Sequence, residues 1–117
     1  MNQRLQGVKV AVLATMGVEQ IELTAPRQVL NEAGATTHLV SPQKETIKAL
    51  QFPDWGDEFS VDVLLGESDP DQYHALYIPG GIINPDLLRI NSDAVEFVKA
   101  FFDAGKPVAR CATVPGC

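Results

Sequence analysis

The stretch Val8-Lys-Val-Ala-Val-Leu-Ala14 decides how the rest of the chain is read. It is of strand length, rich in β-branched residues, and apolar except at Lys9. A strand with one wet face alternates polar and apolar residues. An unbroken apolar run suits a strand covered on both faces, as in a parallel sheet. Thr15-Met16-Gly17 ends the run, and Glu19-Gln-Ile-Glu22 leads into a helix. Leu23, Val29, Leu30 and Ala33 are expected on the inner face of that helix. Pro26 is expected near its start, where early amides lack intrahelical partners anyway. Gly34 is the expected stop. Thr36-Thr-His-Leu-Val-Ser41 reads as the next strand, which completes a β-α-β unit with a right-handed crossover.

The same alternation continues downstream. Ala75-Leu-Tyr-Ile78 is a second buried strand that runs into the sharp turn Pro79-Gly80-Gly81. Asn84 to Arg89 suggests a short helical segment. Asn91 or Ser92 is placed to cap the next helix, whose inner face is expected from Ala94, Val95, Val98, Phe101 and Phe102. Gly105 stops that helix, and Pro107-Val108-Ala109 opens a last strand. Between Ser41 and Ser68 the pattern is less regular. Thr46 to Leu50 reads as a short strand, Phe52 to Asp57 as a loop with Trp55 as a packing anchor, and Phe59 to Leu64 as one half-exposed strand. These three predict a small antiparallel excursion outside the main sheet. Asp69 to Tyr73 is turn or short-helix material. Strands alternating with helices give an α/β doubly wound fold.

Composition narrows the classes of function. The 117 residues allow one domain, and 45% hydrophobic content supplies a core. The net charge of −6, with no basic run, argues against nucleic acid as a partner. No apolar stretch is long enough to span a membrane. Met1 to Gly7 lacks the apolar core of a signal peptide, so the cytoplasm is the expected compartment. Cys111 and Cys117 would close only a tiny loop and have no zinc-site spacing, so free thiols are expected, with no metal or organic cofactor.

Ligands of open α/β sheets bind at the carboxyl ends of the strands. Three such ends are in view: Gly17 to Glu22, Pro79 to Gly81, and Ala109 onward. Glu19 and Glu22 at a helix start either favour the helix dipole or hold a carboxyl beside a reacting group as proton donor or acceptor. Pro79-Gly80-Gly81 is either a tight turn or a source of oxyanion-stabilising amides. It carries neither the phosphate-loop nor the dinucleotide fingerprint. His38 and His74 fall in or before strands and read as structural or surface residues.

Taken in order, Lys9-Val-Ala-Val-Leu13, Gly17-Val-Glu-Gln-Ile-Glu22, Ala33-Gly34, Tyr73-His-Ala-Leu-Tyr-Ile-Pro-Gly-Gly81, Pro85-Asp-Leu-Leu-Arg89 and Ala104-Gly-Lys-Pro-Val-Ala109 resemble the ThiJ/PfpI superfamily. That superfamily includes protein deglycases and PfpI-type intracellular peptidases on a flavodoxin-like, class I glutamine amidotransferase-like fold. The resemblance implies a cysteine-dependent enzyme of stress response, acting on a small aldehyde, a glycated adduct or a peptide. It implies Glu22 as the acid beside the nucleophile, Glu19 in support, and the amide of Gly81 as an oxyanion donor, with Gly80 beside it in the site. It implies a homodimer or larger homo-oligomer and no cofactor.

The family pattern then calls for Val-Ala, two residues, and Cys-His-Gly-Pro. Here Ala112, Thr113 and Val114 stand where Cys, His and Gly are expected, and only Pro115 agrees. Read one nucleotide earlier, the codons of Arg110 to Cys117 permit Ala or Ser, Met or Leu, then Cys, His, Gly, Pro, Trp, Leu. A one-nucleotide frameshift near Ala109 is therefore expected. The alternative is Cys111 as a displaced nucleophile. A shift of one residue in a strand turns a side chain to the opposite face, which favours the frameshift. As written, the chain is expected to be a single domain, 1–117, incomplete at its C-terminus, lacking the elbow and inactive. Other expectations are a noncatalytic redox-sensing or stress-binding protein on the same fold, or an inactive fragment. The strand at 107–109 is expected at an open sheet edge.

Overall fold

A computed structural model describes residues 5–51, 53–80 and 91–110. The opening run is strand β1 (Lys9–Leu13), followed by helix α1 (Gln20–Glu32) and β2 (Thr36–Ser41). A hairpin of β3 (Thr46–Gln51) and β4 (Asp54–Ser60) comes next, then β5 (Val63–Leu64), β6 (Ala75–Ile78), α2 (Ser92–Asp103) and β7 (Val108–Arg110). Five strands form one parallel sheet in the order β5-β2-β1-β6-β7, and β3 and β4 pair antiparallel outside it. The α/β doubly wound reading, with its small antiparallel excursion, is the fold observed.

Side-chain alternation along the strands sorts the core into two halves. Ala11, Leu13, Val40, Leu76 and Ile78 face α2, where Ala94, Phe97 and Phe101 close over them. Val12, Ala14 and Leu39 face the other way, toward Leu23 of α1 and Ile47 and Ala49 of the hairpin. Both faces of β1 are thus buried, which is why its sequence does not alternate. Helices α1 and α2 cover opposite faces of the sheet.

Several local expectations are corrected. On α1 only Leu23 is buried, and Val29 is 64% exposed. On α2 the inward line is Ala94, Phe97 and Phe101, with Val98 half-buried, while Val95 and Phe102 face solvent. Helical spacing gave two overlapping apolar stripes, and only one can meet a flat sheet. Most of the expected loop at 52–57 is strand β4, and its Trp55 is not a packing anchor. It is 47% exposed, with the Lys48 ammonium 5.9 Å from its ring centre. The expected single strand at 59–64 is two pieces. β4 ends at Ser60, and β5 joins the main sheet beside β2. Asp62 makes the switch by bonding Leu39 twice, through its own amide and through its carboxylate. The segment expected at 84–89 lies outside the described residues.

The helix ends follow local chemistry. Asn91 caps α2, its side-chain oxygen accepting the Ala94 amide at 3.0 Å. Gly34, at φ +99°, takes the left-handed turn after α1 that other residues resist. Replacing Asn91 with alanine is expected to cost about 1 kcal/mol, read as a lower urea midpoint at unchanged slope.

Among the described residues β7 is an edge strand. Between it and α1 lies an open, apolar groove of about 640 Å³, bordered by Pro26, Val29 and Leu30 on one side and Val10, Tyr77 and Val108 on the other. No helix among the described residues is long and apolar enough to cross a membrane.

Candidate functional site

The site forms where the carboxyl ends of β1 and β6 meet the first turn of α1. Gly17 makes the bend out of β1 at φ +86°, and its amide donates to Lys48 O at 2.9 Å. Leu50 returns a bond to Val18 O at 2.7 Å, and Glu19 bridges Leu50 in parallel. The hairpin therefore holds the segment from Gly17 to Glu19 by its backbone.

From the other side, β6 delivers Pro79 and Gly80, both buried. Two reciprocal bonds tie this turn to α1. The Glu19 amide donates to Gly80 O at 3.1 Å, and the Gly80 amide donates to Glu22 Oε1 at 3.0 Å. Glu19, Glu22 and Gly80, separated by up to 61 positions, thus share one small volume. Gly80's amide is committed to Glu22. The oxyanion-donor expectation for the glycine pair then rests on Gly81, which lies outside the described residues, as does Cys111.

The electrostatics of Glu22 follow from this seat. Burial pushes its carboxyl above the ordinary value of 4.5, the Gly80 hydrogen bond pulls it back, and the neighbouring Glu19 charge adds to the rise. The net effect makes this carboxyl easier to protonate than an ordinary glutamate. With Oε1 held by an amide, the other oxygen can carry the proton and donate it to an anion in front of the turn.

Pro26 is not near the helix start. It is the seventh residue of α1, in its interior. Proline has no amide hydrogen, so the carbonyl four residues earlier, that of Glu22, loses its intrahelical donor. The Tyr77 hydroxyl, rising from β6, donates to that same carbonyl at 2.7 Å. Burial, with a smaller contribution from the Glu22 charge, pushes the Tyr77 phenol up to about 12. It is therefore a neutral donor throughout the physiological range.

Gln20 supplies a second contact that the sequence did not announce. Its side-chain nitrogen donates to Asp57 Oδ2 at 2.9 Å, and its oxygen accepts the Asp57 amide at 2.8 Å. Gly56 makes room for it, since a Cβ there would run into Gln20 Oε1 and sit 2.9 Å from Gln51 Cγ. Gln43 caps the end of β1, accepting from the Met16 amide at 2.8 Å and the Thr15 hydroxyl at 3.2 Å. None of these pairs has a sequence signature, because each joins residues 27 to 37 positions apart. The histidines lie elsewhere. His38 Nδ1 and the Tyr73 hydroxyl are 2.9 Å apart, and His74 Nδ1 accepts the Lys9 amide at 2.9 Å. Among the described residues no group of three or more His, Cys, Asp or Glu could hold a metal ion.

β7 runs parallel to β6, with Arg110 opposite Ile78, so it points toward the sheet end that carries Gly80. Comparison with known proteins places the chain in a family. Deglycase TK1284 of Thermococcus kodakarensis is 36% identical over 102 residues, covering 87% of this chain and 58% of that protein. General stress protein 18 of Bacillus subtilis is 36% identical over 103 residues, again covering 87% of this chain and 58% of that protein. The chain thus spans a little over half the length of these relatives. A crystal structure of a two-domain protein from Anabaena variabilis, with DJ-1/ThiJ/PfpI-like and ferritin-like domains, superposes with a TM-score of 0.79 at 30% identity. It covers 88% of this chain and 29% of that one. The model of the DJ-1/PfpI family matches residues 8–115, and with relatives of this similarity in sequence and fold, the chain belongs to the DJ-1/PfpI family.

Proposed function

We propose that this chain is the acid-bearing part of a cysteine-dependent site for carbonyl chemistry, of the glyoxalase, deglycase or peptidase kind, in a stress-response setting. The observation that carries the reading is the Glu22 carboxyl. It is seated on the Gly80 amide at the sheet end toward which β7 points, in surroundings that make it easier to protonate than an ordinary glutamate. A neutral carboxyl there can donate a hydrogen bond to a thiolate, which lowers the cost of the charged nucleophile. The thiolate adds to a carbonyl carbon. The π pair moves to oxygen, where backbone amides such as that of Gly81 stabilise it before protonation.

The thiol is assigned to the elbow encoded one nucleotide out of frame near Ala109, in preference to Cys111. Small aldehydes, glycated adducts and peptides are the proposed substrate classes, and a cytoplasmic homodimer or larger assembly the proposed state. Resequencing the gene and weighing the intact product test the frame, with a mass well above 12.7 kDa expected. The product should consume methylglyoxal or a glycated peptide and lose that activity on thiol alkylation. A gene that encodes Thr113 and a stop after Cys117, in a protein without thiol-dependent turnover, sinks this reading. A second reading, a redox sensor without turnover, rests on the same carboxyl, since a stabilised thiolate is also readily oxidised. Sulfinic acid at the elbow cysteine without carbonyl turnover would select it.

A further inference from the structure

We infer that Tyr77 is a positioning residue for Glu22, acting through the helix carbonyl that Pro26 leaves without a donor. The inference rests on the proposed role of Glu22, but its test does not depend on that role.

An interior proline weakens a helix, in part because one carbonyl goes unbonded. In α1 that carbonyl belongs to Glu22 itself. The lost donor is replaced from another element, by the Tyr77 hydroxyl at 2.7 Å. A backbone donor at position 26 would have tied Glu22 only to its own helix. The phenol ties it to β6, three residues before Gly80, whose amide holds the Glu22 carboxyl. One strand and the turn it runs into therefore fix both ends of the same residue, its carbonyl through Tyr77 and its carboxyl through Gly80. Such a two-point attachment sets the orientation of the acid relative to the sheet end rather than relative to the helix. Pro26 and Tyr77 both line the groove between α1 and the sheet, Pro26 from the helix and Tyr77 from β6. Among the described residues, the groups that face the Glu22 side chain are the Glu19 carboxylate at the start of α1, the Tyr77 phenol from β6 and the Gly80 amide from the turn after it.

Tyr77→Phe keeps the ring and removes the hydroxyl. In that variant the Gly80 amide is expected to exchange hydrogen about five- to tenfold faster, the scale of one net hydrogen bond. The Glu22 carboxyl, followed by carbon NMR, is expected to titrate nearer 4.5, because the loosened acid loses the burial that is the largest cause of its rise, which outweighs losing the lowering Gly80 bond. Pro26→Ala restores an amide at the vacant place, so Tyr77→Phe/Pro26→Ala should recover part of the lost stability. It should not return the Glu22 titration to its wild-type position, because the tether to β6 stays broken. A purely structural role for Tyr77 predicts lower stability with an unchanged Glu22 titration and unchanged Gly80 exchange. That outcome overturns the inference, as does full recovery of the titration in the double variant. Should Tyr77→Phe alone not fold, the double variant decides: its helix is repaired while the phenol is gone, so the Glu22 titration should still be displaced, and a wild-type titration overturns the inference. Loss of activity in Glu22 variants plays no part in these readouts, so failure of the functional reading is seen separately.

Discussion

Phe101→Ala is expected to remove about 3–5 kcal/mol of stability, a large share of the roughly 5–15 kcal/mol that a folded domain commonly has. Phe101 is fully buried and the largest such side chain in the molecule's described part. Its ring lies 5.2 Å from that of Phe97, which in turn meets Tyr73 edge-on at 6.5 Å. It also covers Ala11, Leu13 and Leu76 from the α2 side. Truncation leaves a cavity between a helix and a flat sheet, and neither can collapse far to fill it. Phe102→Ala is the control. That side chain is 62% exposed, and its loss should change stability by less than about 0.5 kcal/mol. Urea denaturation of the two variants separates them, and equal effects would contradict the inward assignment of α2.

Glu22→Gln is expected to lower thiol-dependent turnover by about 10²–10⁴-fold in the protein that carries the elbow, the range for loss of a positioned acid. The amide can still accept from Gly80, so the seat survives while the donated proton goes. The same variant has a pH signature independent of catalysis. The Glu22 carboxyl is raised above its ordinary 4.5 in the folded state, so the folded form binds the proton more tightly than the unfolded form. Its contribution to stability is full below about pH 4.5 and is lost as the pH rises through the raised folded value. Glutamine does not titrate. The melting temperature of Glu22→Gln relative to wild type should therefore climb from pH 4 to pH 7, and a flat difference would show an ordinary, solvent-like carboxyl.

The predictions draw unequally on the sequence. The parallel sheet was legible in Val8 to Ala14 and Ala75 to Ile78, because burial on both faces writes itself as an unbroken apolar run. The excursion at 46–60 was legible as antiparallel, but the sheet switch at Asp62 was not. It depends on one carboxylate finding the Leu39 amide across 23 positions. The inner face of α2 was half legible. Spacing offered Phe101 and Phe102 alike, and only docking against the sheet chose between them. Glu19, Glu22 and Gly80 could be singled out, since strand ends and helix starts are local features.

What the sequence by itself determined is therefore the alternation of elements, the family resemblance, and the acids and glycines that stand at strand ends. The tertiary structure alone decided how those residues engage one another. It committed the Gly80 amide to Glu22, raised that carboxyl by burial, and set Tyr77 against the carbonyl opened by Pro26. Propensity and periodicity act over a few residues and can be read along the chain. A hydrogen bond between residues 55 or 58 positions apart exists only once the sheet has brought its strands into register.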